Sequence, residues 1–153
     1  MKFTGELTVN APRPAVFEAL RDARFFASCV DGVRDLAEIA PDRYSAIFET
    51  KVAYMKFTFK VTVELTRAEV PSEIEAKVEG APLGVVGRMV ASSVTTLSEA
   101  GEGTRIDYTV DAALTGKLGS LGQPVLRSKA REMERQFAAR LAAAFNPGTA
   151  AQP

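Results

Sequence analysis

Residues Ile106–Phe145, "IDYTVDAALTGKLGSLGQPVLRSKAREMERQFAARLAAAF", change their hydrophobic period once, and that change sets the fold class. Up to Leu114 the apolar register falls at every second position: Ile106, Tyr108, Val110, Ala112 and Leu114, with Asp107, Thr109 and Asp111 between. Successive side chains of a strand point to opposite faces, so this is a strand with one dry face and one wet face. After Thr115 the apolar positions recur every three or four residues, at Leu118, Leu121, Val125, Leu126, Met133, Phe137, Leu141 and Phe145. Arg127, Lys129, Arg131, Glu132, Glu134, Arg135 and Arg140 mostly take the opposite side. The spacing predicts one long amphipathic helix from about Leu118 to Phe145, roughly 40 Å at ~1.5 Å per residue. Pro124 marks either its first turn or a kink.

Upstream, the period-2 pattern dominates. Phe3, Gly5, Leu7 and Val9 alternate with polar residues, so the chain starts with a strand. Pro12 or Pro14 then sits in the first turn of a helix with Val16, Phe17 and Leu20 on one face. "DARFFASCVDG" reads as a second short helix ending near Gly32. From Val33 to Leu114 only strand and turn signals occur. Val33–Ile39 is a strand, and Pro41-Asp42 is its turn. Tyr44, Ala46, Phe48, Thr50 and Val52 hold the even register, and Met55, Phe57, Phe59, Val61, Val63 and Leu65 hold the odd one. The parity switch predicts a tight hairpin at Ala53-Tyr54. Ile74–Val78, Val85–Leu97 and Ile106–Leu114 follow, with "EAGEG" as the last hairpin loop. The order predicts an α+β fold: about seven antiparallel strands, strongly curved around one long C-terminal helix, with two short helices after the first strand.

The inward register contains no Asp, Glu, Lys or Arg. Many of its members are small: Gly87, Ala91, Ser93 and Thr95 on one strand, Ala76 and Ala112 on others. The helix offers Gly119, Gly122, Ala130 and Ala138 among larger residues. A single Leu-sized void costs ~2–5 kcal/mol. Several would strain a domain whose net stability is ~5–15 kcal/mol. Either the helix packs closely against the sheet, or an apolar ligand fills the space.

Composition narrows the chemistry. The 153 residues suffice for one domain, expected over 1–146, with 147–153 as a disordered tail. Lys plus Arg equals Asp plus Glu, 19 each, which gives no support for a nucleic-acid partner. No apolar run approaches the ~20 residues needed to cross a bilayer, and the N-terminus lacks a signal-peptide core. With no histidine and only Cys29, Ser-His-Asp and Cys-His catalysis, His-ligated haem and thiolate metal clusters are excluded. A cytoplasmic location fits the lone cysteine.

Taken together, "MKFTGELTVNAPRPAVFEAL", "SCVDGV", "MKFTFKVTVELT", "GEGTRIDYTVDAALTGKLGSLGQ" and "MERQFAARL" resemble the START-like, helix-grip (SRPBCC) superfamily, and within it the CoxG family of carbon monoxide dehydrogenase subunits. The pieces span nearly the whole chain, and their order and spacing carry the resemblance. Two departures stand out. The family usually has Cys-Ile/Leu-Pro-Gly where this chain has Cys29-Val30-Asp31-Gly32. It often has a Gly-Pro-type turn where this chain has Ala53-Tyr54. Close family members continue into a Pro/Ala-rich linker and a membrane-binding tail, and "NPGTAAQP" stands where such a linker would start.

The resemblance implies a non-catalytic accessory protein of a carbon monoxide dehydrogenase-type molybdenum hydroxylase. It would recruit that enzyme to the inner face of the cell membrane through peripheral contact. It would carry a quinone, menaquinone or ubiquinone, with no covalent cofactor and no metal. A dry cavity with a few polar points suits a hydrophobic small molecule or lipid of this kind. The expected lining is Phe48, Phe57, Phe59, Val61, Met89, Ala91, Ser93, Tyr108, Val110, Leu118, Leu121, Leu126 and Met133. Ser93 and Tyr108 are the candidate donors to a ligand carbonyl, with bonding to protein as the alternative. Two other classes remain open: a polyketide cyclase or dehydratase of the same fold, and a ligand-free adaptor with a solid core. The enzyme would need a positioned acid or base in the cavity.

Overall fold

A computed structural model describes residues 1–145, so the expected tail at 147–153 lies outside the described residues. One antiparallel sheet of seven strands, in the order β1-β7-β6-β5-β4-β3-β2, forms the body. The strands are β1 (Lys2–Val9), β2 (Val33–Ala40), β3 (Arg43–Val52), β4 (Met55–Glu69), β5 (Glu73–Pro82), β6 (Gly87–Ala100) and β7 (Gly103–Thr115). Helices α1 (Arg13–Arg21) and α2 (Ala23–Ser28) follow β1, and α4 (Gln123–Phe145) closes the chain after the single turn α3 (Gly116–Gly119).

The alternation decides which face is dry. Along β6, Met89, Ala91, Ser93 and Thr95 are half-buried while Arg88, Val90, Ser92, Val94 and Thr96 are exposed. The hairpin at Ala53-Tyr54 forms as the parity switch requires: Val52 pairs with Met55, and Ala53 takes φ +55° to close the turn.

Several boundaries differ from the sequence expectation, each for a local reason. The terminal helix starts at Gln123 rather than Leu118. Gly122 adopts φ +90°, which ends the preceding turn, and Pro124 falls in the first turn of α4, where its missing N–H costs nothing. Leu118 therefore lies on α3 and Leu121 in the connecting turn. Strand β6 starts at Gly87 rather than Val85, because Leu83–Val86 form a loop whose Val86 carbonyl accepts from the Lys117 N–H at 2.9 Å. Helix α2 ends at Ser28, short of Gly32, which follows in a turn at φ +87°. Its start is capped by Asp22, whose carboxylate accepts from the Arg24 and Phe25 N–H groups.

The core divides in two. One cluster joins Val9, Val16, Phe17, Leu20, Ile74, Leu97, Ile106 and Leu141, where α1 and the C-terminal end of α4 meet the sheet. The other joins Val52, Phe57, Phe59, Val61, Leu118 and Leu126, where the start of α4 meets the β3–β4 hairpin. The backbone of α4 runs closest to β1 and β3, near the two sides of the sheet, rather than to the central strands β5 and β6. The helix is held at its margins and its ends.

Candidate ligand-binding site

The expected lining residues separate into two groups. Phe57, Phe59, Val61, Leu118 and Leu126 are buried in the cluster at the hairpin end, with Phe48 and Leu121 packed against it. Phe48 and Phe59 stack across the β3–β4 ladder at 6.0 Å between centroids, and Phe57 and Phe59 at 5.8 Å along β4. These rings make one wall of ordinary dense core.

Met89, Ala91, Ser93, Tyr108, Val110 and Met133 behave differently. All six are half-buried and belong to neither cluster. They lie on the central strands β6 and β7 and on the middle of α4. Ser93 stands opposite Ala76 and Val110, and Ala91 opposite Val78 and Ala112. A belt of small and medium side chains thus runs between two dry clusters and stays partly accessible beneath a helix. Gly80 on β5 leaves room for Met89, whose Cε would stand 3.1 Å from a Cβ there.

At the β1 margin of this belt sits a polar pair. A Cβ on Gly5 would fall 2.2 Å from the Tyr108 hydroxyl and 2.5 Å from a Glu134 carboxylate oxygen. Only glycine leaves space there for the tyrosine ring and the carboxylate together. Glu134 therefore faces β1, correcting the expectation that it belongs to the outer face of the helix. Two turns earlier on α4, Arg127 lies 5.4 Å above the Phe3 ring and donates to the Lys2 carbonyl. Residues 127 and 134 are seven apart, so they share the helix side that meets β1. That spacing was the available sequence signal; polarity alone assigned both to solvent.

Two surface hollows flank the core. A groove of about 530 Å³ runs between the β3–β4 hairpin and α4, lined by Lys51, Ala53, Pro124, Val125, Ser128, Lys129 and Glu132. A second, of about 300 Å³, lies between α2 and β2, lined by residues from Arg24 to Leu36. None of the expected lining residues lines either hollow.

Electrostatic perturbations lie away from the belt. Lys56 and Arg34 bond the Glu49 carboxylate and hold its pKa down at about 2. Burial pushes the Cys29 thiol up. Partial burial, reinforced by Glu38 and Asp42, raises the Tyr44 phenol. Among the described residues no group of His, Cys, Asp and Glu could hold a metal ion, and no helix is long and apolar enough to cross a membrane.

Comparison with known proteins places the chain. The family model for CoxG, the G-type subunit of carbon monoxide dehydrogenase, matches residues 5–146. No curated protein matches the chain. Among solved structures, a conserved protein from Geobacillus kaustophilus superposes with a TM-score of 0.87 at 23% identity, covering 95% of both chains. Ms6760 from Mycobacterium smegmatis gives 0.68 at 17% identity over 96% of this chain and 92% of that one. Ara h 8.0201, a Bet v 1 homologue, gives 0.67 at 12% identity over 95% and 97%. At these identities the likeness establishes the helix-grip fold.

Proposed function

The chain belongs to the CoxG family of carbon monoxide dehydrogenase subunits, and from that premise we propose that it is a non-catalytic accessory protein carrying an apolar ligand between α4 and the sheet. The observation that supports this reading is the half-buried belt of Met89, Ala91, Ser93, Tyr108, Val110 and Met133 between two separate core clusters. A solid domain of this size has one contiguous core. The ligand suited to the belt is long and apolar with a few acceptors, because the walls are apolar and the polar points are the Ser93 and Tyr108 hydroxyls. A quinone, menaquinone or ubiquinone, has that composition: the tail contacts aliphatic side chains and the two ring carbonyls accept from hydroxyls. The carrier takes the quinone from the inner face of the cell membrane and presents it to a carbon monoxide dehydrogenase-type molybdenum hydroxylase in the cytoplasm, recruiting that enzyme to the quinone pool.

The test is native mass spectrometry of the protein purified from its own membranes, followed by organic extraction. A quinone at one per chain is the expected result. Protein that stays empty after incubation with quinones and lipids overturns the reading.

One observation favours a second reading. Glu134 beside Tyr108 supplies the titratable group that a cyclase or dehydratase of this fold would require. An activity abolished by Glu134→Gln with ligand affinity unchanged would select the enzyme.

A further inference from the structure

The hairpin end of the sheet differs from the opposite end in both polarity and charge. Tyr54, at the tip of the β3–β4 hairpin, is 83% exposed; Leu83 and Val86, in the β5–β6 loop, are 56% and 87% exposed. Both elements end at the edge of the sheet where β7 stops and α4 starts. The β5–β6 loop is fixed there by its backbone: Leu83 N–H donates to the Thr58 carbonyl at 2.8 Å, and Lys117 N–H donates to the Val86 carbonyl at 2.9 Å.

Around these tips the chain is free of acid. Residues 50–63, 80–98 and 112–131 contain no Asp or Glu, although the whole chain is neutral. Glu49, Glu79 and Glu132 at the margins pair with Lys56, Arg88 and Lys129. Lys51 and Lys117 have no acidic partner among the described residues. Lys51 and Lys56 stand directly opposite each other in the ladder, at the base of the turn that carries Tyr54. Like charges so placed repel. Exposed apolar tips at the opposite end have the reverse setting: Val70 follows Glu69, and Ile39 follows Glu38.

We propose that this rim, carrying Tyr54, Leu83 and Val86 within a ring of lysines, docks on an anionic lipid surface, with the groove beside Lys51 and Lys129 facing the bilayer as the port for the apolar ligand. The port rests on the carrier reading above; the docking surface does not. Three separate tips are a poor match for a protein partner, which needs one continuous complementary patch. They suit an interface that accepts isolated apolar side chains at headgroup depth, tyrosine among them, while lysines meet lipid phosphates. An anionic surface also relieves the Lys51–Lys56 repulsion.

The experiment is sedimentation of the full chain with vesicles of phosphatidylcholine containing phosphatidylglycerol as the minority lipid, and with phosphatidylcholine alone. Wild type is expected to bind the anionic vesicles more tightly and to release as salt rises. Tyr54→Ser/Val86→Ser and Lys51→Glu/Lys117→Glu are each expected to weaken binding by about tenfold or more, with unchanged circular dichroism melts. Val70→Ser at the opposite end is expected to bind as wild type. Equal binding by the rim variants, no binding by wild type, or a dimer in solution that the Tyr54/Val86 change dissolves would overturn the proposal. Menaquinone supplied in detergent separates the two readings. A protein that binds vesicles through the rim yet takes up no menaquinone supports the docking surface and removes the port and the carrier. One that takes up menaquinone but ignores vesicles removes the docking surface alone.

Discussion

Ala91→Leu gives opposite signs for a hollow belt and a solid core. Ala91 lies in the middle of β6, on the face covered by α4, between Val78 on β5 and Ala112 on β7. The substitution adds three carbon atoms. Where space is open, each carbon removed from water contributes about 0.8 kcal/mol, a gain of about 2.4 kcal/mol for the side chain. Freezing the leucine rotamers takes back about 0.5–1 kcal/mol. The net expectation is a stabilisation of about 1–2 kcal/mol, and a domain of this size shifts its Tm by roughly 2–4 °C per kcal/mol. If α4 instead packs down on the small residues, overpacking costs about 1–3 kcal/mol, and Tm falls. Urea unfolding with an unchanged m-value, paired with thermal melts, reads the sign. Melts repeated with menaquinone in detergent read the consequence: the leucine occupies the ligand's space, so the stabilisation seen with wild type disappears. A Tm lowered by several degrees, with no ligand effect in either protein, would refute the hollow belt and leave the solid-core adaptor.

Three further outcomes are expected. Gly5→Ala places a methyl 2.2–2.3 Å from the Tyr108 hydroxyl and Cζ, so it lowers stability by about 1–3 kcal/mol; Tyr108→Ala in the same chain restores most of the loss, which a double-mutant cycle measures. Glu49 has a pKa of about 2 when folded, against 4.5 ordinarily, so its ion pairs contribute stability above pH ~4.5 that is lost as pH falls toward ~2. The wild-type minus Glu49→Gln stability difference should therefore shrink over that window; a constant difference contradicts the pairing with Lys56 and Arg34. Cys29 is 2% exposed and its thiol is shifted up by burial, so it should react with a thiol reagent at neutral pH only as fast as the domain opens, and unfolded protein should react at once.

Much of the site was legible before any coordinates. The alternation in 55–65, 87–97 and 106–114 is strict because one sheet face is dry, and a strict period leaves a single choice of register. The Ala53-Tyr54 turn was fixed by the parity change on either side of it. The break before α4 was less visible: Leu118 and Leu121 continue the helical spacing, and only Gly122 at φ +90° interrupts it. The role of Glu134 was invisible to a polarity pattern, because its neighbour Gly5 is far away in sequence and the missing Cβ is what admits the carboxylate.

By itself the sequence determined the secondary elements, the dry face, the small residues along it, and the chemistries that an absent histidine forbids. These are properties of local period and composition. Only the tertiary structure decided that the core is two clusters rather than one, that α4 lies near β1 and β3 rather than down on β5 and β6, and that acid-free segments far apart in sequence meet at one rim. Each depends on how a curved sheet brings distant residues together, and no local period records that distance.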